Sequence, residues 1–250
     1  MISSCEKKSN KSHEKENRKE KHWSYEGETS PKHWAEFEKN SDCAGKNQSP
    51  INIIENTTIP ISNTDDLKIL YDSKTILSKV ENNGHSIQFD FKPGDSIYYK
   101  EDIYHLNQIH FHEPAEHTIN GIRYPIEIHF VHKSKKGNLT VLGIFGREGE
   151  ISQLFEFFES FLPIKNGESK DINKSVDLTS LYKENKNFYS YSGSLTTPPC
   201  TENVNWVIFK NQIQLSHNEL IKIRNNMPIN NYRNEQPLNN RKVYLNYQNN

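Results

Sequence analysis

Two short runs carry the residue types of a metal centre: Gln108-Ile109-His110-Phe111-His112 and Glu127-Ile128-His129-Phe130-Val131. On a β-strand, residues two apart point to the same side. His110 and His112 therefore present two imidazoles to one face, while Ile109 and Phe111 turn to the other. In the second run Glu127, His129 and Val131 share a face, and Ile126, Ile128 and Phe130 pack into the core. If the two strands are neighbours, His129 completes a three-histidine cluster. Three neutral nitrogens with a fourth position left to water are the donor set of a catalytic zinc site rather than a structural one. A lone histidine on a strand is more often a satisfied core residue, and His-x-His alone is a weak signal. Gln108 and Glu127 strengthen it. Each sits two residues before a candidate ligand on the same face, where a ligating imidazole donates its other N–H. The polar residues nearby, Glu113, His117 and His132, are expected to have structural or solvated roles.

Short extended segments must position these runs. Strand-like stretches fall at 86–91, 96–99, 108–112, 126–132 and 140–145, rich in β-branched and aromatic residues. Turn signals separate them: Asn82-Asn83-Gly84, Lys92-Pro93-Gly94-Asp95 and Lys136-Gly137-Asn138. Ile151, Leu154, Phe155, Phe158, Phe161 and Leu162 follow a helical stripe that stops at Pro163. Ser216 and Glu219 form a capping box ahead of Leu220, Ile223 and Met227. Ser30-Pro31 reads as an N-cap followed by proline at the first helical position. The expected fold class is mainly β (α+β), one domain over residues 22–250 with peripheral short helices.

The 250-residue chain carries a net charge of −1, which argues against a nucleic-acid footprint. No apolar run reaches the roughly 18 residues needed to span a membrane. From Glu6 to His22 there is no large apolar residue, so residues 1–21 are expected to be a disordered tail. Ile2-Ser3-Ser4-Cys5 resembles a lipoprotein cleavage box, yet the charged and apolar regions of a signal peptide do not precede it. Two readings stay open: a lipid tether on Cys5 at the cell envelope, or a chance match behind a genuine Met1. Cys43 and Cys200 are either two unrelated buried thiols or one long-range disulfide, which would require an oxidising compartment.

Other motifs make the reading specific. Tyr191-Ser192-Gly193-Ser194-Leu195-Thr196-Thr197-Pro198-Pro199 resembles a run shared by alpha-class carbonic anhydrases. Lys46-Asn47-Gln48-Ser49-Pro50-Ile51-Asn52-Ile53, Asn82-Asn83-Gly84-His85 and Gln236-Pro237-Leu238-Asn239-Asn240-Arg241 resemble other family motifs, as does the spacing of His110, His112, Glu116-His117-Thr118 and Glu127-x-His129. The resemblance runs from about Trp23 to Tyr247 in family order. Only Pro114 and Ala115 separate Glu113 from Glu116, so the match is closer to the bacterial type, although Glu113 and Ala115 replace the Thr and Ser common there.

The resemblance implies a large central twisted sheet of about ten mixed, mostly antiparallel strands, with zinc at the bottom of a conical cleft. It implies a Cys43–Cys200 disulfide, and with it a periplasmic or cell-envelope location. It implies reversible hydration of carbon dioxide to bicarbonate by zinc-bound hydroxide. Residue by residue, His110, His112 and His129 would hold zinc, supported by Gln108 and Glu127. Thr196 would accept a hydrogen bond from the hydroxide and pass its own proton toward Glu116. Val131, Val141, Leu195 and Trp206 would form the apolar wall for carbon dioxide, Thr197 would contact bicarbonate, and His85 would shuttle protons. A homodimer is compatible with the same family. Two rivals have less behind them: a binding module, since some relatives have lost zinc ligands, and an ester hydrolase using the same site.

Overall fold

The computed structural model describes residues 22–37, 40–62, 67–179 and 187–247. The expected tail at 1–21, Cys5 included, lies outside the described residues. Among the described residues thirteen strands join in one sheet, and ten of them follow one another along a single hydrogen-bonded path. The path runs Ser169–Val176, Thr75–Asn82, Ile87–Phe91, Asp102–His112, Ile126–Ser134, Leu139–Glu148, Glu202–Phe209, Phe188–Ser194, Tyr244–Asn246, Ile59–Ile61. Most neighbours are antiparallel. Leu139–Glu148 runs parallel to Glu202–Phe209 and Ile213–Leu215, and Tyr244–Asn246 runs parallel to Ile59–Ile61. The sheet is therefore mixed and mostly antiparallel, as expected.

Its middle is where the two histidine runs meet. Asp102–His112 and Ile126–Ser134 pair antiparallel, with His129 opposite His110 and Glu127 opposite His112. The side-chain period of two then divides the apolar residues between two cores. Ile109, Phe111, Ile126, Ile128 and Phe130 join one cluster with Phe155 and Phe158, and Val131, Val141 and Trp206 join a second. A bulge shifts the register between Val131 and His132, and beyond it the partner strand turns over, so that Tyr104 and Leu106 join the first cluster although Gln108, His110 and His112 do not.

Helices cover the first core. Gln153–Glu159 is capped by Ser152, whose side chain accepts from the Phe155 N–H, and it buries Leu154, Phe155 and Phe158. Ile151 lies before the helix and is exposed, and Phe161 and Leu162 lie beyond its C-cap Ser160, so the helix is shorter than the expected stripe at both ends. The capping box of Ser216 and Glu219 opens His217–Arg224, which buries Leu220 and Ile223. Ser30 differs from expectation. Pro31 does begin a helical turn, but it is the 3-10 segment Pro31–His33, and the Ser30 side chain makes no capping hydrogen bond. The Ser30 carbonyl, and not its hydroxyl, accepts from this turn, taking the His33 N–H at 2.9 Å.

Candidate metal centre

The strand pairing brings three imidazoles together. Ring centroids are 5.0 Å apart for His110 and His112, 5.1 Å for His110 and His129, and 4.7 Å for His112 and His129. One nitrogen from each lies within 4.8 Å of the others, an arrangement able to hold a metal ion. The remaining nitrogen of each ring is tied down. His110 Nδ1 meets Gln108 Oε1 at 2.9 Å, His112 Nδ1 meets the Asn231 carbonyl at 2.6 Å, and His129 Nε2 meets Glu127 Oε1 at 2.9 Å. By elimination, the free nitrogens are Nε2 of His110 and His112 and Nδ1 of His129. Burial pushes all three imidazoles below their ordinary pKa, with His112 at about 4, so they are neutral, as ligation requires.

One atom tests whether these residues fit a metal. His112 Nε2 is buried with no hydrogen-bond partner among the described residues; its nearest acidic oxygen, Glu116 Oε2, is 3.4 Å away. A buried imidazole nitrogen left unpaired is costly. A cation among the three rings would take its lone pair, so the donor set fits zinc.

Glu127 holds this arrangement from beneath. It is fully buried, and its Oε2 accepts the backbone N–H groups of Glu116 and His117 at 2.9 and 2.8 Å. Oε1 meets His117 Nδ1 at 2.7 Å as well as His129. Burial alone would raise its pKa, but His117 and His129 outweigh it and hold the carboxylate well below the usual range. Gly143, paired with His129, leaves the necessary room: a Cβ there would sit 2.6 Å from Ile208 Cδ1 and 3.1 Å from Glu127 Oε1. Asn231 and Gly143 escape the sequence reading, and Tyr191 enters it only as part of the motif at 191–199, with no role of its own. Tyr191 meets His117 Nε2 at 2.6 Å and Ser49 Oγ at 2.8 Å, extending the buried chain from Glu127. Of the two residues missed altogether, Gly143 left a signal, a glycine inside an otherwise apolar strand.

The residues with expected structural or solvated roles are structural. His117 and His132 are fully buried and Glu113 nearly so. Arg224 donates to Glu113 from the His217–Arg224 helix, and His132 is held by Tyr71 and the Phe130 carbonyl.

Glu116 and Thr196 lie together beside the ring cluster. Burial is the main cause raising the Glu116 pKa to about 7; His129, a hydrogen bond from Thr196 and the Arg233 N–H act against it. The loop carrying Thr196 is closed by Leu195 N–H to the Thr201 carbonyl and Cys200 N–H to the Thr197 carbonyl. It is also cross-linked, since Cys43 and Cys200 form a disulfide across a sequence separation of 157. Val131, Val141 and Trp206 share one apolar cluster, with Leu195 packed against it.

A cleft of about 110 Å³ opens onto His110 and His112 and is also lined by Thr197, Gln108, His85 and Trp23. His85 stacks on Trp23 with centroids 3.6 Å apart, and its Nε2 meets His22 Nε2 at 2.9 Å. Burial, and then the nearby His22, lower its pKa to about 4.

The structure thus presents a three-histidine cluster able to hold a metal ion on a large mixed sheet, with Glu116 and Thr196 beside it. Residues 29–247 match the family model of eukaryotic-type carbonic anhydrases, and the chain belongs to that family. It is 38% identical over 226 residues to a carbonic anhydrase of Klebsiella pneumoniae, covering 89% of this chain and 90% of the relative. With a carbonic anhydrase of Pectobacterium carotovorum it shares 35% identity over 222 residues, covering 88% and 89%. The alpha-carbonic anhydrase of Thermovibrio ammonificans, solved with the inhibitor sulfanilamide, superposes with a TM-score of 0.84 at 39% identity, covering 89% of this chain and 98% of that one.

Proposed function

We propose that this carbonic anhydrase hydrates carbon dioxide reversibly to bicarbonate and a proton with zinc held by His110, His112 and His129. The observation that carries the reading is the convergence of three neutral imidazole nitrogens, each with its other nitrogen fixed. Zinc, when bound, lowers the pKa of water from about 15.7 to about 7, as is established for carbonic anhydrase, and so supplies a nucleophile at neutral pH. The chain's own residues do the rest. Gln108, Glu127 and the Asn231 carbonyl fix the three rings. Thr196 accepts a hydrogen bond from the attacking oxygen and donates its own proton to Glu116, which aims a lone pair at the substrate carbon. Glu116 is itself anchored, its Oε1 accepting the Arg233 N–H at 2.9 Å. Val131, Val141, Leu195 and Trp206 offer apolar carbon dioxide a wall that water does not contest, and Thr197 contacts bicarbonate. His85, on the same cleft, carries the released proton toward solvent.

Stopped-flow carbon dioxide hydration with and without a zinc chelator tests this reading. Activity should disappear with the metal and return on adding zinc. Full activity in metal-stripped protein would overturn it. The disulfide supports export to an oxidising compartment such as the periplasm. There a lipid on Cys5 would tether the enzyme through residues 6–21. Mass spectrometry of the native protein checks this: a lipidated Cys5 with nothing before it is expected, and an unmodified Met1 contradicts it.

A further inference from the structure

The strands Ile87–Phe91 and Asp102–His112 pair over 88–90 and 108–110, and among the described residues the ladder goes no further toward His85 and Glu113. Buried backbone groups left without a ladder partner must find another. One side chain supplies three. Asn231 is fully buried. Its Nδ2 donates to the His85 and Phe111 carbonyls, each at 3.0 Å, and its Oδ1 accepts the Glu113 N–H at 2.8 Å. We propose that the Asn231 carboxamide is a positioning group for proton transfer, fixing the backbone of His85 against the strand that carries His110 and His112. The proposal rests on the reading of His85 as the proton shuttle. It goes beyond the Asn231 backbone carbonyl, which meets His112 Nδ1.

The three partners call for an amide. An asparagine side chain has two N–H donors and a carbonyl acceptor. Here both donors face carbonyls and the oxygen faces an N–H, so the partners themselves fix which way the amide points. Aspartate would keep an acceptor and lose both donors. Leucine would keep the shape and lose all three bonds.

The geometry bears on His85 in particular. The N–H groups of His85 and Ser86 both donate to Asn83 Oδ1 at 2.9 Å. The carbonyl of the peptide between them is the one Asn231 holds. Both peptide groups flanking the His85 Cα are therefore anchored, which leaves the ring only its side-chain torsions. Ser86 adds a second tie, its Oγ donating to the Phe111 carbonyl at 2.7 Å and accepting the Phe111 N–H at 3.3 Å. Asn231 thus joins a proposed metal ligand, through its own carbonyl, to the shuttle, through its side chain. The separation of His85 from the centre is set by this clamp as well as by the Asn82-Asn83-Gly84 turn. Misplacing a reacting group by about 1 Å can cost about 100-fold in rate. A relay that external buffer can replace loses less.

Stopped-flow hydration by the zinc-loaded full chain tests this, with Asn231→Ala, Asn231→Asp, His85→Ala and the double variant of Asn231→Ala with His85→Ala. Asn231→Ala should lower kcat in weak buffer by about threefold to tenfold. It should leave kcat/KM and zinc content nearly unchanged and recover with imidazole. Asn231→Asp keeps the acceptor alone and should lose as much, which keeps the test open if the alanine variant does not fold. On the His85→Ala background, Asn231→Ala should cost nothing further. Amide nitrogen relaxation should show the His85 N–H more mobile in Asn231→Ala than in the parent. Unchanged kcat in either folded Asn231 variant, equal loss in kcat and kcat/KM, further loss on the His85→Ala background, or an unchanged His85 amide would each overturn the proposal. His85→Ala without loss would overturn the shuttle reading and this proposal together. Loss in His85→Ala but in neither Asn231 variant would overturn this proposal alone.

Discussion

The two faces of the Asp102–His112 and Ile126–Ser134 strand pair share a backbone and a register and little else. One face carries Ile109, Phe111, Ile128 and Phe130, packed among aromatic residues such as Phe155 and Phe158. The other carries Gln108, His110, His112, Glu127 and His129, where most polar atoms have a specific partner. Burial on the first face is non-directional, so similar shapes can replace one another. On the second, His112, Glu127 and His129 are buried and Gln108 and His110 half-buried, each with a donor or acceptor at a specific angle, so removing one member strands its partners. Two substitutions a residue apart should therefore differ in kind.

Replacing a proposed ligand should have the largest effect. His112→Ala should abolish most activity and sharply lower zinc content, read by metal analysis and hydration rate together. Full zinc occupancy at full rate would remove His112 from the ligand set. Next comes the carboxylate beneath. Glu127→Gln should lower zinc affinity or activity by about 10- to 100-fold, because the amide cannot serve His117, His129 and two backbone N–H groups at once. Ile128→Val, on the opposite face, should cost about 0.5–1.5 kcal/mol in denaturant unfolding and leave hydration kinetics alone. If Ile128→Val impaired zinc binding as much as Glu127→Gln, the division between the faces would fail.

How much of this was legible depended on whether a signal was local. The ligands, Gln108 and Glu127 could be read from a period of two within one strand, and the capping box at Ser216 from a spacing of three. The Asp102–His112 strand begins well before the expected Gln108 because Tyr104 and Leu106 alternate with His105 and Asn107, a wetter pattern than the apolar run after it. Ser169–Val176, an edge strand rich in Lys, Ser, Asp and Asn, gave no apolar signal. Asn231 stayed invisible for another reason. It meets His112 through a backbone carbonyl 119 residues away, and any residue type offers a carbonyl. The Cys43–Cys200 pairing came from family resemblance, since the residues alone also left two unrelated buried thiols open.

Smaller effects probe the frame around the polar face. The disulfide closes a separation of 157 residues, for which the chain-entropy model gives about 5 kcal/mol as an upper bound. Cys43→Ser should lower the midpoint of thermal unfolding, and thiol titration of the unfolded, unreduced parent should find Cys5 alone. Three free thiols after oxidative expression would contradict the bridge. Acidification should act on metal-free protein with a definite sign. His112 and His132 have folded pKa values of about 4 and about 3 against an ordinary 6.5. The unfolded chain therefore binds more protons between those values, and their stabilisation is lost as pH falls from about 6.5. Glu116, raised to about 7 from 4.5, works in the opposite direction below pH 7, but it is one group against several histidines. Metal-free protein should melt lower at pH 5 than at pH 7; an unchanged or higher midpoint would contradict the burial of neutral imidazoles.

His85 should give the smallest loss. Its pKa of about 4 in this arrangement is poorly matched to neutral pH, and external buffer can replace a shuttle. His85→Ala should lower kcat by about tenfold in weak buffer, with kcat/KM nearly unchanged and rescue by imidazole. His22→Ala should raise the His85 pKa, measured by NMR. Equal loss in kcat and kcat/KM without rescue would make His85 structural.

Anomalous diffraction at the zinc edge, from crystals of the native enzyme, tests the three-histidine centre most directly. One peak per chain is expected, among His110 Nε2, His112 Nε2 and His129 Nδ1. A peak elsewhere, or none at those three nitrogens in active protein, would contradict the proposed site.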